Sequence, residues 1–330
     1  MSEWKWLTVK TIMSIVSFIE SYVWKIVFVL KNKIVRNRRI VMFGECHAHI
    51  FMNGYDYRKA VEDHVAAPNE ALIRKNLLAY QEAGITYVRD GGDIYGAGLL
   101  AKRISGEYGI EYRTPVFAIH KQGHYGGIVG YGYDTLQEYA QLVKKAKQQG
   151  ADFIKIMTTG IMDFQQAGVI TGDILNYSEV KEMVHIAHEE GMSVMSHTNG
   201  IRGVQEALEA GVDSIEHGNY TNEETIRMLA DTKTVWIPTA VTIGNLRGSN
   251  RFPEYEVQKI LEMAKERIAD AFAYDANIGL GSDAGAFCVS HGQGLYDEYE
   301  LFLEVIGDKE KVDCRILKSE DMIKTRFRVH

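Results

Sequence analysis

The sequence predicts an α/β protein of the (β/α)8 TIM-barrel class, and two observations carry that prediction. Short runs of β-branched and apolar residues recur eight times, at 40–51, 85–90, 112–119, 153–157, 193–197, 214–217, 235–239 and 278–282. Amphipathic stretches with helical spacing lie between them. Strands alternating with helices imply parallel pairing, because a parallel crossover needs a connection of that length. Eight such units over about 250 residues suit a closed barrel better than an open sheet. An open doubly wound sheet would place a GxGxxG turn after its first strand, whereas this first run ends in GECHAHI.

The helices follow in order. Residues 70–84, EALIRKNLLAYQEAG, are apolar at Leu72, Leu77, Leu78 and Ala83, with Gly84 at the stop position. A helix is expected over 133–150, with Asp134 as N-cap and Gly150 as terminator. Another is expected over 178–191, opening on Ser178 and ending at Gly191. Residues 203–211 and 222–230 repeat the arrangement, and 254–277 forms the longest helix. After the eighth run, GLYDEYELFLEVIG and residues 309–327 also have helical spacing.

Composition narrows the function classes. A formal net charge of −7 argues against a nucleic-acid binder, which needs a basic excess to track phosphates. Cys46, Cys288 and Cys314 show no CxxC spacing, so a reducing, cytoplasmic setting is expected. Residues 1–39 are expected to form an apolar helical N-terminal extension, and residues 40–330 one barrel domain with a helical C-terminus. Residues 11–30 are apolar but interrupted by Glu20 and Lys25, and a basic cluster from Lys31 to Arg39 follows. Two charges near the middle weaken a membrane span. A secretory signal would carry its basic residues first. The expectation is an interfacial or partner-packing helix making weak membrane or partner contact, with a single-helix anchor or an extension without a role as the alternatives. A homo-oligomer is expected.

The chemistry-bearing residues fall at strand ends. In a (β/α)8 barrel the active site lies at the C-terminal ends of the strands. His47 and His49 end the first run one residue apart, so strand alternation sends both imidazoles to one side. Lys155 lies in FIKIM on the fourth run, His197 in VMSHTNG on the fifth, His217 in SIEHG on the sixth and Asp283 in LGSDAG on the eighth. Each alone has an ordinary structural explanation. Lys155 could snorkel to the rim, and Asp283 could cap a turn. All of them together at one end of a barrel would be a repeated coincidence. Four imidazoles and a carboxylate make a site for Zn²⁺ or a similar borderline ion. A protonated Lys155 beside cations would be repelled. Carboxylated by CO₂, it becomes an anionic carbamate able to bridge two ions.

This set resembles the amidohydrolase superfamily, and within it the branch of imidazolonepropionase-like proteins and Xaa-Pro and related dipeptidases. FIKIMTTG, AHEEGMSVMSHTNG, EAGVDSIEHG and GLGSDAG resemble that branch in wording, and the likeness runs from about residue 40 to 303. It implies a hydrolase of carbon–nitrogen bonds (amide, cyclic amide or dipeptide) acting on a small molecule. Two divalent ions are implied, Zn²⁺ by default, with Mn²⁺ or Fe²⁺ as alternatives. By the resemblance His47 and His49 hold the first ion and His197 and His217 the second, with the Lys155 carbamate between them. Asp283 ligates the first ion and takes the proton of the attacking hydroxide, acting as general base and then acid.

For substrate contacts, AIHKQGHYGG after the third run offers His124 by resemblance, with His120 as a second candidate. Arg89 either pairs with Asp90 or meets a substrate carboxylate, and His291 is a candidate for the mouth. A single-metal deaminase of a heterocycle is one alternative activity, disfavoured because alternation points Glu216 away from the ions. An inactive barrel serving as a binding scaffold is another. Two departures from the family stand out. The N-terminal stretch and the residues after Asp283 have helical spacing, so the usual small β-sandwich is expected to be absent, and Glu45 stands where relatives commonly have Asp.

Overall fold

The computed structural model describes residues 43–328, so the expectations for residues 1–39 lie outside the described residues. β1 (Glu45–Ala48), β2 (Tyr87–Asp90) and β3 (Glu111–Arg113) pair in that order. A second sheet runs β5 (Gly130–Tyr133), β4 (Ala118–Lys121), β6 (Ile154–Met157), β7 (Val194–Thr198), β8 (Ser214–His217) and β9 (Val235–Ile237). All pairings are parallel. Every residue of β1, β2, β6 and β7 is buried, as befits strands covered on both faces.

The third predicted run is broken into β3 and β4. Val116, directly after Pro115, sits at φ 68°, a strained conformation for a β-branched residue. The bend lets β3 bond to β2 while β4 bonds to β6. The eighth run joins the ring through backbone bonds on both sides. Cys46 N donates to Leu280 O (3.1 Å) and Asp283 N to His47 O (2.7 Å), while Trp236 N donates to Asn277 O (2.8 Å) and Gly279 N to Trp236 O (2.9 Å). The eight runs thus occupy the eight positions of a TIM barrel.

One strand was not expected. β5 lies outside the ring against β4, with Gly130 opposite Ala118. Its sequence, GYGY, resembles a turn, and the helix expected from residue 133 begins only at Leu136. The helices are α1 (Tyr57–His64), α2 (Glu70–Glu82), α3 (Ala97–Ile104), α4 (Leu136–Gln148), α5 (Tyr177–Glu189) and α6 (Ile201–Ala210). They continue with α7 (Glu223–Ala230), α8 (Val241–Gly244), α9 (Glu254–Ala273), α10 (Gln293–Ile306) and α11 (Lys309–Arg326).

Two caps differ from expectation. Thr135, not Asp134, caps α4 in a reciprocal box with Glu138, and Asn176, not Ser178, caps α5. In each case the capping oxygen must reach the amide three residues on, which Thr135 and Asn176 do at 3.2 and 3.0 Å. Gly84, Gly150 and Gly191 follow their helices in the left-handed region, where a side chain would be strained.

The N-terminal end of the barrel is sealed by an apolar cluster that includes Cys46, Tyr87, Phe153, Met195 and Val235 from the strands and Ile323 and Phe327 from the C-terminal segment. Among the described residues no helix is long and apolar enough to cross a membrane.

Candidate metal centre

The opposite end of the barrel opens into a cavity of about 900 Å³ whose wall includes His47, His49, Lys155, His197, His217 and Asp283. β1 delivers the first two, both inward. Asp283 follows the eighth run at φ 56°, and its Oδ1 lies 3.5 Å from His47 Nε2 and 3.6 Å from His49 Nε2. The His197 and His217 ring centroids are 4.6 Å apart, and those of His47 and His217 are 5.0 Å apart. Donor atoms of His47, His217 and Asp283 lie within 4.8 Å of one another, the spacing of groups that can share one cation.

Each ring is held by one nitrogen, which frees the other. His47 Nδ1 bonds Glu216 Oε2 at 2.7 Å, His49 Nδ1 faces Gly92 O at 3.4 Å, and His217 Nδ1 meets Thr239 Oγ1 at 2.7 Å. His197 is held the other way round, with Nε2 against Gly160 O (3.1 Å) and the Asn199 amide (3.3 Å). Of the buried polar atoms without a hydrogen-bond partner among the described residues, two belong to this pocket, His47 Nε2 and Lys155 Nζ. Leaving a buried polar group unpaired costs about 1–3 kcal/mol. Two such atoms in one pocket, beside three further imidazoles and a carboxylate, fit a site for a cation.

Burial sets the charge states. It lowers His49 and His197 to about 3, with Lys155 the next cause for each. Desolvation likewise drives His47 and His217 well below the ordinary imidazole range. All four rings are therefore neutral at pH 7, the form that ligates metals. Desolvation also lowers Lys155 to about 8 and raises Asp283 to about 7.

His124 lines the cavity, but three other candidates do not. Arg89 is fully buried beneath the site. It bonds Glu216, Ser214 and the Cys46 carbonyl, and pairs with neither Asp90 nor the cavity. Asp90 instead accepts from Ile50 N, Gly92 N and the Thr114 hydroxyl. His120 turns its Nδ1 to the Lys121 carbonyl at 2.9 Å and lies under Gly126. His291 is held by Tyr80 Oη and Met52 O, both at 2.9 Å, which occupies both ring nitrogens in packing.

Glu216 corrects the sequence reading most sharply. It points into the barrel, opposite His197 in register. Its neighbour His217 still reaches the cavity because its backbone leaves the strand at φ 70°. Alternation predicts one of two consecutive residues inside, and the left-handed turn admits both. Glu45 is also buried, and its carboxylate accepts from Ser282 N at 2.8 Å and from the Ser282 hydroxyl, tying β1 to the eighth run. The outer wall was illegible in sequence. It is made by Tyr55, Tyr125, Phe164, Phe252 and Phe287 from separate loops, and Tyr125 packs 5.0 Å from the His197 ring.

A cluster of imidazoles and a carboxylate able to share a cation, at the C-terminal mouth of a TIM barrel, is the arrangement of a class of hydrolytic barrels. Residues 43–307 match the amidohydrolase family, and the chain belongs to it. An ochratoxinase from Aspergillus niger is 26% identical over 174 residues, covering 51% of this chain and 33% of that protein. An uncharacterised protein of Mycobacterium tuberculosis is 27% identical over 120 residues, 34% of this chain and 32% of its own. These alignments thus span about one third of the relatives' lengths. Among solved structures, a Xaa-Pro dipeptidase with methionine bound in its active site superposes with a TM-score of 0.68 at 19% identity, over 86% of this chain and 75% of that one. The A. niger ochratoxinase structure gives 0.68 at 21% identity, over 82% and 68%. The fold is shared with both.

Proposed function

We propose that this protein is a metal-dependent hydrolase cleaving a carbon–nitrogen bond in an amide, cyclic amide or dipeptide. The observation that carries the reading is the pair of orphaned buried atoms, His47 Nε2 and Lys155 Nζ, set among neutral imidazoles and Asp283. His47, His49 and Asp283 would hold one divalent ion, and His197 and His217 a second. The nitrogen-rich donor set favours Zn²⁺ over harder ions, with Mn²⁺ and Fe²⁺ as alternatives.

Lys155 fits a bridging role as its carbamate. Burial favours the neutral amine, whose lone pair attacks CO₂. The ammonium gives up one proton to become the amine; the N–C bond then forms as one C=O π bond of CO₂ opens, a second proton leaves the nitrogen, and a cationic position becomes anionic. Bound here, divalent ions would lower the pKa of water and polarise the scissile carbonyl.

The chain's own groups do the rest. Asp283, within 3.6 Å of both β1 histidines, accepts a proton from the attacking water and delivers it to the leaving nitrogen. His124, on the cavity wall, would contact the substrate beside its carbonyl as the family resemblance implies, and the aromatic outer wall suits an apolar substituent. The similarity to a Xaa-Pro dipeptidase supports a dipeptide substrate. Glu216 lies beneath the cavity with its oxygens committed to His47, Arg89 and Ser214, so it cannot serve as the ring-protonating acid of a heterocycle deaminase.

The test combines metal analysis with a screen of dipeptides and cyclic amides. About two divalent ions per chain are expected, with hydrolysis lost on chelation and restored by Zn²⁺. Asp283→Asn should lower kcat by roughly 10²–10⁴, the usual worth of a general base, with the fold intact. Full turnover by metal-free protein would reject the proposal.

A further inference from the structure

Beneath the metal pocket lies a column of side chains that shares no surface with the cavity. Glu216 and Arg89 are each 0% exposed. Glu216 Oε2 meets His47 Nδ1 at 2.7 Å, and Oε1 accepts from Arg89 Nη2 at 2.9 Å and from the Ser214 hydroxyl. Arg89 is fixed in turn. Its Nε donates to Cys46 O at 2.7 Å and its Nη1 to Ser214 Oγ at 2.9 Å, while the Phe327 ring lies 4.4 Å from the guanidinium carbon.

The chemistry of the four anchoring contacts differs. The Thr239 hydroxyl beside His217 can donate or accept, so it leaves that ring's tautomer open. The Gly92 carbonyl facing His49 is distant, at 3.4 Å. Only His47, among the four, is anchored on a carboxylate. A carboxylate engaged by a guanidinium and a hydroxyl offers an acceptor and nothing else. A neutral imidazole against it must carry its proton on Nδ1, which puts the lone pair on Nε2, the atom that faces the cavity without a partner.

We propose that Glu216 is a positioning residue. It locks His47 in the Nδ1–H tautomer with Nε2 aimed into the pocket, and Arg89, stacked under Phe327, fixes the orientation of its carboxylate. The inference rests on the reading of His47 as a metal ligand.

Two measurements test it. In the metal-free, ¹⁵N-labelled full chain, the His47 ring should show a protonated Nδ1 and an unprotonated Nε2. An Nε2–H tautomer there overturns the proposal, whatever any variant does. The second measurement is Zn²⁺ affinity by competition with a chromophoric chelator. Glu216→Gln should weaken binding about 10- to 100-fold, the usual effect of removing a partner that orients a ligating histidine. The His47 signal should become a mixture of tautomers while the circular dichroism stays native. Because Gln leaves Arg89 without a counter-charge, the pair Glu216→Gln/Arg89→Met removes both charges together and should show the same loss of affinity. Either variant folded with wild-type affinity and a single His47 tautomer refutes the positioning role. A wild-type protein that takes up no Zn²⁺ refutes the hydrolase reading instead, and the tautomer spectrum still judges Glu216.

Discussion

Replacing Gly91 with Ala perturbs the candidate metal centre without replacing any proposed ligand. A Cβ at position 91 would lie 2.6 Å from His49 Nε2 and 2.9 Å from its Nδ1. Carbon-to-ring contacts settle at roughly 3.5–4 Å, so the imidazole must retreat by about 1 Å. Gly91 does not have a positive φ, so the methyl adds a clash without backbone strain. A ligating nitrogen is held to within about 0.2 Å of its bond length, and the displacement is several times that tolerance. It also carries Nε2 away from its place 3.6 Å from Asp283. Gly91→Ala should therefore lose at least about tenfold in Zn²⁺ affinity, comparable to removing an orienting partner, and about 1–3 kcal/mol of stability from overpacking. Gly106→Ala is the control, since nothing lies within 4 Å of its Cβ, and it should change stability by less than about 0.5 kcal/mol. Calorimetric Zn²⁺ titration and urea melts of both variants provide the readings. Wild-type Zn²⁺ affinity in a folded Gly91→Ala protein would show that His49 does not ligate.

Three further outcomes are expected. Tyr80→Phe removes the 2.9 Å contact to His291 Nδ1; it should cost about 1–3 kcal/mol for the orphaned nitrogen and leave KM unchanged, whereas a raised KM would return His291 to the substrate. Glu298, buried in α10 and accepting from Ala240 N and Val241 N, is raised by burial from 4.5 to about 8. Between those values the folded state binds a proton that the unfolded state has released, so stability should fall as pH rises through that window. Glu298→Gln should flatten the fall in urea melts between pH 5 and 8, and an unchanged slope would remove Glu298 as a contributor. Zn²⁺ at a hundred times its Kd should stabilise the metal-free protein by about 2.7 kcal/mol against urea, and no shift would contradict a folded-state site.

The barrel was legible because its signal is repeated. Eight apolar runs tolerate one that breaks at Val116 and one held only by isolated bridges. His47, His49, Lys155, His197, His217 and Asp283 were visible because strand ends announce themselves by polar residues after apolar ones. What escaped depends on partners far apart in the chain. Arg89 has Asp90 beside it in sequence and Glu216 beside it in space. His120 and His291 end or follow strands as the proposed ligands do, and only their hydrogen bonds show that they belong to the packing. Glu216 escaped because alternation is a property of extended backbone, and the chain abandons that conformation at His217. The β5 strand escaped because its pairing with β4 depends on a glycine's lack of a side chain at position 130.

The aromatic plug at the bottom of the barrel has a consequence for the order in which the interior dries. Phe327 follows every barrel strand in chain order, yet its ring lies 4.4 Å from the Arg89 guanidinium carbon and 5.3 Å from the Phe153 ring. A ring of strands without α11 docked on it would leave Arg89 facing water from below, so seating α11 is the step that would shut the column beneath His47 away from solvent.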